Sequence, residues 1–319
     1  MTERKLSWIM ASILLVSGCG HSADTMAPEN SVVAEVVPVD VSGERALEEV
    51  QQFVALGPRL SGTEGGERAA HYLAARLREL GVETEIQEFN DASPNGTILF
   101  RNVIGRIPGN GASKQILLFG SHFDTKIGIA DDFAGANDSG SSTGLLLEMA
   151  RAFQETAPHP MEIRLAFFDG EESMQEYGPT DGLHGSRYLA QHMEADGSLA
   201  DIAAMILLDM VGASNLTVTI PRNSTPALVA QVFGAARAEG VRRYFQLYPA
   251  HILDDHVPFL ERGVPAINLI DFQFGSEPGR NDYWHTPEDT LDKLSAESLG
   301  IVGRVAARMA GQLMQPTPK

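Results

Sequence analysis

The stretch "MEIRLAFFDGEES", residues 161–173, decides the fold. Its apolar run ends in Phe167 and Phe168 and reads as a buried strand. The strand stops at Gly170, and two adjacent glutamates, Glu171 and Glu172, follow at once. Two carboxylates at the end of a buried strand repel each other, so something nearby must compensate for that cost.

Working outward, the same pattern repeats. "QILLFGSHFD" (115–124) is a continuous apolar run of the kind a central strand shows when both of its faces are covered. "IAAMILLDMVG" (202–212) and "VPAINLI" (264–270) read the same way, and "VETEIQEF" (82–89) alternates as a strand. Between them, "ALEEVQQFVALG" (46–57), "GGERAAHYLAARLRELG" (65–81), "STGLLLEMARAF" (142–153), "TPALVAQVFGAARAEG" (225–240) and "LSAESLGIVGRVAARMAGQLM" (294–314) place apolar residues at helical spacing. Strands alternating with helices predict an α/β fold. The expected architecture is a single domain over residues 43–319, with a central, mostly parallel twisted sheet covered by helices on both faces. There is no internal repeat.

The chain has 319 residues, of which 43% are hydrophobic, enough for a sizeable core. The formal net charge of −18 argues against a nucleic-acid partner. The acidic residues are scattered, as on a solvated surface. At the N-terminus, Arg4 and Lys5 precede "LSWIMASILLVSG", which is short for a membrane span. The segment ends in "LVSGC", similar to a bacterial lipoprotein signal with Cys19 as the lipidated residue. Residues 1–19 are therefore expected to be a signal peptide and residues 20–42 a polar, flexible tether. Cys19 is the sole cysteine, so the domain has no disulfide although it is exported. The expected location is the periplasmic face of a membrane, held by the lipid anchor. Gly20, rather than Asp, after the cysteine favours the outer membrane.

Polar residues gather just past the strands: His122 and Asp124 in "GSHFDT", Asp138 in "GANDSGS", Glu171 and Glu172, Asp209 in "LLDMVG", Asp254, Asp255 and His256 in "DDHVPFL", and His285 in "YWHTPEDT". In an open parallel sheet, ligands bind beyond the carboxyl ends of the strands. Any one of these residues alone would read as a helix cap, a turn residue or a hydrogen-bonded structural histidine. Together, carboxylates and imidazoles without thiolates suit zinc with an open coordination position. A cation also answers the repulsion between Glu171 and Glu172.

From about residue 45 onward, the order "SHFD", "NDSG", "GEE", "LLDM", "WHTPEDTLDKL" resembles the zinc-dependent aminopeptidase superfamily. The resemblance implies a zinc exopeptidase-like fold and leaves two readings. In a dizinc aminopeptidase, His122, Asp138 and Asp209 would hold one zinc and Asp138, Glu172 and His285 the other, with Glu171 as general base. In a glutaminyl cyclase of the animal type, one zinc suffices. Three stretches are more similar to the cyclases: the link "SMQEYGPTDGLH" after "GEE", the run "DDHVPFLERGVP", and Trp284 directly before His285. The chain departs from them at Asn268, where the cyclases carry a histidine, and in the longer loop through "DFQFGSEPGRND". It also departs at Ser121 and Thr143, which replace the cysteines of the animal disulfide.

The cyclase resemblance implies that peptides or proteins with N-terminal glutamine are converted to pyroglutamate with release of ammonia. Zinc would be held by Asp138, Glu172 and His285, and Glu171 would carry the proton. Asp209 and Asp254 would share a proton. Trp284 and Asn268 would bind the substrate, and His122 and Asp124 would support the site or hold a second metal. A binding lipoprotein on an inactive frame is a third reading. Glu171 beside Glu172 argues against it, because a binding module needs no general base.

Overall fold

The computed structural model describes residues 39–315. The signal segment, Trp8, Cys19 and residues 20–38 of the tether lie outside the described residues. Seven helices and eight strands are ordered α1 (Gly43–Val54), α2 (Glu64–Glu79), β1 (Glu83–Ser93), β2 (Gly96–Ile107), β3 (Ile116–His122), α3 (Ser142–Glu155), β4 (Glu162–Phe168), α4 (His184–Asp196), β5 (Ile202–Asp209), β6 (Val218–Pro221), α5 (Pro226–Ala238), β7 (Phe245–Tyr248), α6 (Val257–Leu260), β8 (Ala266–Ile270) and α7 (Ala296–Leu313).

The strands form one sheet in the order β1-β2-β4-β3-β5-β8-β6-β7. Its centre, β4-β3-β5-β8, is parallel. The edges are not: β1 and β2 form an antiparallel hairpin laid antiparallel on β4, and β6 runs antiparallel to β8 while pairing in parallel with β7. The sheet is thus mixed, with the expected parallel arrangement confined to the strands buried on both faces.

Strand periodicity divides the core. Along β5, Ile206 and Leu208 face a large apolar layer that includes Phe53, Leu73, Phe153 and Val305, while Met205 and Leu207 face a smaller one with Leu189, Met193 and Phe259. Alternate side chains of one strand feed both layers, as the period of two requires. Helices α1, α2, α3, α5 and α7 supply the first layer and α4 and α6 the second. Side-chain hydroxyls cap several helix starts: Ser42 accepts from Arg45 N–H, Thr63 from Gly66 N–H and Ser295 from Ser298 N–H.

The end of the expected tether needs correction. Val41 is buried, and Ser42 N–H donates to Glu148 Oε1 at 2.8 Å. An apolar side chain two residues before α1 finds the surface of Gly303, where an added Cβ would stand 2.6 Å from Val41 Cγ1. The last residues of the 20–42 segment therefore belong to the folded domain.

Register brings the polar residues level. His122 pairs with Phe168 at the ends of β3 and β4, and Asp209 pairs with Ile270 at the ends of β5 and β8. Four parallel strands stop along one edge, and the loops leaving that edge carry the site. Ser121 and Thr143 lie side by side there, with hydroxyl oxygens 3.3 Å apart.

Candidate metal centre and catalytic pocket

Two groups of donor atoms converge at this edge, each within 4.8 Å: His122, Asp138 and Asp209, and Asp138, Glu172 and His285. His122 Nε2 lies 3.1 Å from Asp138 Oδ1 and 3.3 Å from Asp209 Oδ1. His285 Nε2 lies 3.3 Å from Asp138 Oδ2 and 3.1 Å from Glu172 Oε1. Asp138 thus stands between the groups, one oxygen toward each.

The donor set fits a zinc ion. His122 Nδ1, Asp209 Oδ1 and Glu172 Oε2 are buried without a hydrogen-bond partner. Lys126 Nζ comes within 3.3 Å of Glu172 Oε2, but without the angles of a hydrogen bond. Buried polar atoms are seldom left unpaired, and carboxylates are seldom crowded together without a cation. The protonation tendencies agree. Burial works against charging His122, yet Asp124, Asp138 and Asp209 hold its pKa well above the ordinary value. Burial opposes His285 as well, and Asp138 and Glu172 push it up to about 9. Burial would raise Asp138, but His122 and His285 hold it far below the usual carboxylate range. In each case the site calls for positive charge, which a metal ion supplies in competition with protons.

Asp124 explains how adjacent glutamates share one strand end. Its Oδ1 accepts the N–H of Glu171 and its Oδ2 the N–H of Glu172, both at 3.1 Å. One carboxylate thus holds the backbone at both residues, while their side chains take different partners. Gly170 permits the turn that delivers them. Its φ is +77°, and an added Cβ would meet Phe100 Cε1 at 2.5 Å. Glu172 turns to His285. Glu171 turns away and accepts the Tyr177 hydroxyl at 3.0 Å on Oε1 and 3.2 Å on Oε2. Burial first, then the charges of Glu172, Asp254 and Asp255, push the Glu171 pKa well above the carboxylate range. A carboxyl that gains a proton easily, next to a metal site, has the character of a proton carrier.

A second buried acidic group lies beside it. Asp254 Oδ2 accepts from Asn268 Nδ2 at 2.6 Å, and Asp254 Oδ1 accepts from Asp255 N–H at 2.6 Å. Burial and the charges of Asp209 and Asp255 raise the Asp254 pKa strongly, and burial also raises Asp209. Asp255 is pushed up to about 7, chiefly by burial. Burial alone drops His256 to about 3, and its Nε2 pairs with Asn223 Nδ2 at 3.0 Å. Asn268 lies beside this acidic group. It is fully buried in β8, its Nδ2 donating to Asp254 Oδ2 and its Oδ1 left without a hydrogen-bond partner.

Trp284 is half-buried beside the ligand group. Its indole stacks on the His285 ring with centroids 4.1 Å apart and meets Phe272 edge-on at 5.1 Å. His285 (φ 54°) and Met210 (φ 46°), which follows Asp209, both adopt the left-handed region. Such strain in residues other than glycine clusters at functional sites.

Four residues around the site carried no mark in the sequence. Asp289 accepts the N–H of Asn137 at 2.6 Å and of Asp138 at 3.0 Å, tying the loop of His285 to that of Asp138. Its position four residues after His285 was the one available hint. Arg59 is fully buried and donates to the carbonyls of Phe123, Gly57, Ala134 and Gly135, and it faces Asp124, Asp289 and Asp138. Burial lowers its pKa to about 10, where it still carries its charge. Tyr177 and Lys126 are the others.

Residues 102–310 match the model of peptidase family M28. The glutaminyl-peptide cyclotransferase of Drosophila melanogaster is 31% identical over 278 residues, covering 78% of this chain and 76% of that protein. Among solved structures, the glutaminyl cyclase of an Acidobacteriales bacterium superposes with a TM-score of 0.81 at 35% identity, covering 88% of this chain and 97% of the other. A Zn-dependent exopeptidase from Parabacteroides distasonis does so with a TM-score of 0.75 at 29% identity, covering 88% of this chain and 100% of the other. The zinc site, the buried carboxylates beside it and these similarities lead to one conclusion: the chain belongs to peptidase family M28 and is a homologue of its glutaminyl-peptide cyclotransferases.

Proposed function

We propose that the protein is a zinc-dependent glutaminyl-peptide cyclotransferase, converting the N-terminal glutamine of peptides and proteins to pyroglutamate with release of ammonia. One observation carries this reading over peptide hydrolysis. Asp254, held by Asn268 in a buried site, carries a pKa raised by burial and by the charge of Asp209, as the acidic partner of a cyclase site should. A proton shared between Asp254 and Asp209 would weaken Asp209 as a second-metal ligand, which favours one zinc over the dizinc arrangement of an aminopeptidase.

Asp138, Glu172 and His285 would hold a single zinc, which when bound acts as a Lewis acid on the side-chain amide carbonyl. The chain's own residues do the rest. Glu171 accepts the proton of the attacking α-amine and delivers it to the departing ammonia, a role worth about 10²–10⁴-fold. Asp209 and Asp254 share a proton and present one negative charge rather than two to the amine. Trp284 packs on the glutamine stem, and its stacking on His285 fixes both rings. Ring closure within one molecule avoids the entropy of bringing two reactants together.

The experiment is ammonia release from a glutamine-initiated peptide by wild type and by Glu171→Gln. Release by the wild type alone supports the reading. Equal release by both removes Glu171 from the reaction.

The anchoring is also a proposal. Residues 1–19 are read as a lipoprotein signal and Cys19 as the lipidated residue, with residues 20–38 spacing the enzyme from the outer membrane on its periplasmic face. The support is the cluster Arg4, Lys5, the apolar stretch and the single cysteine. Labelled fatty acid should enter the protein in bacterial cells and fail to enter Cys19→Ser.

A further inference from the structure

We infer that Tyr177 is a positioning residue for Glu171 and that its hydroxyl holds the proton-carrying carboxylate in its working orientation. This inference rests on the proposed role of Glu171.

The link between Glu172 and α4 is built to fix this one side chain. Asp181 folds the link, its carboxylate accepting the N–H groups of Met174 at 2.6 Å and of Gln175 and Glu176 at 2.9 Å. Gly178 N–H donates to Asp181 O at 2.9 Å, closing the turn. Arg187, from α4, donates to the carbonyls of Gly178 and Pro179 at 2.7 Å. The Tyr177 ring lies against Gly182, whose φ is +75° and where an added Cβ would stand 2.5 Å from Tyr177 Cδ1. Lys126 Nζ sits 5.6 Å from the ring centroid and donates to Ser173 O at 2.6 Å and Ser173 Oγ at 2.9 Å. A glycine floor, a cation and a capped loop leave the ring one place to go, and the hydroxyl arrives at Glu171.

The contact suits the role. A carboxylate offers about four lone-pair sites. The phenol's single proton faces both oxygens, at 3.0 and 3.2 Å, and fixes the plane of the group. The remaining sites stay available to the substrate amine. No other side chain among the described residues hydrogen-bonds to Glu171, whose backbone alone is held by Asp124. Without the phenol, the carboxylate would rotate about its terminal bonds. Tyr177 keeps its own proton throughout. When Glu171 takes the amine proton, the phenol donates to the oxygen that remains bare.

The test is Tyr177→Phe, which keeps the ring on Gly182 and removes one oxygen atom. The metal-loaded variant should show a thermal midpoint lowered by no more than a few degrees, roughly 2–4 °C per kcal/mol lost, an unchanged zinc content and a KM for a glutamine-initiated peptide within about twofold of wild type. Its kcat should fall about ten-fold or more, the usual consequence of losing a hydrogen bond to a charged group. A double-mutant cycle separates positioning from mere structure. In Glu171→Asp, which is one methylene shorter and out of the phenol's reach, adding Tyr177→Phe should change kcat less than about twofold. An unchanged kcat in the single variant, a change confined to KM, or a loss that multiplies fully in the Glu171→Asp background would each overturn the inference. If Glu171→Gln is as active as wild type, the role of Glu171 itself fails, and this is read separately from the Tyr177 result.

Discussion

Asp289→Asn is a one-atom change that probes how the metal centre is built. The buried Asp289 carboxylate accepts two backbone N–H groups, Asn137 at 2.6 Å and Asp138 at 3.0 Å. An asparagine can accept only one of them, and its NH₂ must face the other. The loss is one charge-assisted hydrogen bond, about 1.5–3 kcal/mol, with a buried N–H left opposite another donor. Asp138 is the residue shared by both ligand groups, so the disturbance reaches the metal directly. Groups that orient a ligand typically contribute about 10- to 100-fold to metal affinity. Denaturant unfolding of the metal-loaded protein should show a loss of about 1–3 kcal/mol. Competition with a chromophoric chelator should show zinc held at least about ten-fold more weakly. The exposed Asp292→Asn, three residues on, is the control and should stay within about 0.5 kcal/mol of wild type. Wild-type zinc affinity together with wild-type stability in Asp289→Asn would refute the view that this carboxylate braces the centre.

Other expectations follow from the same geometry. Glu171→Gln should abolish turnover and keep zinc, whereas Glu172→Gln should lose both, because Glu172 faces His285 and Glu171 does not; equal zinc content in the two variants would reverse the assignment. Trp284 is the sole tryptophan after Trp8, so in protein lacking the first 38 residues its emission should respond to an imidazole inhibitor with the same midpoint as inhibition. A silent signal, with Trp284→Ala leaving KM unchanged, would place the indole outside the substrate site. Burial pushes Asp271 up to about 7 from 3.8, although it accepts from Thr217 and Gln273 N–H. Its folded pKa is therefore raised, and its contribution to stability is complete below about pH 4 and lost as the pH rises toward 7. Asp271→Asn loses one of those two N–H contacts at every pH, but its stability relative to wild type should rise as the pH goes from 5 to 8, by ~1–4 kcal/mol. A difference that does not change with pH would contradict the shift.

The parallel centre of the sheet was legible because its strands are covered on both faces and read as unbroken apolar runs. β2 was not legible, since its buried residues are interspersed with Arg101, Asn102 and Arg106, which are served by Glu88, Gln87 and the β1 edge. β6 and β7 have four residues each, too few for a period to register. At the site, His122, Asp138, Glu172, Asp209 and His285 stood out because they carry ligand chemistry at strand ends or in the loops that leave them. The contact of Asn268 with Asp254 was not legible, because a position inside a strand does not say which neighbouring side chain it meets. Asp289 and Arg59 stayed hidden because their partners are backbone atoms, most of them distant in sequence, and Tyr177 because a tyrosine in a loop gives no sign of which side chain its hydroxyl meets.

The most direct test of the central claim uses one substrate and one readout. The zinc-loaded protein is given a peptide beginning Gln-Phe, and the products are read by mass spectrometry, with zinc per chain counted on the same sample. The account predicts a single product of full length that has lost one ammonia, from protein holding one zinc. Free glutamine and a peptide shortened to begin with Phe, from protein holding two zincs, would contradict it and make the protein an aminopeptidase.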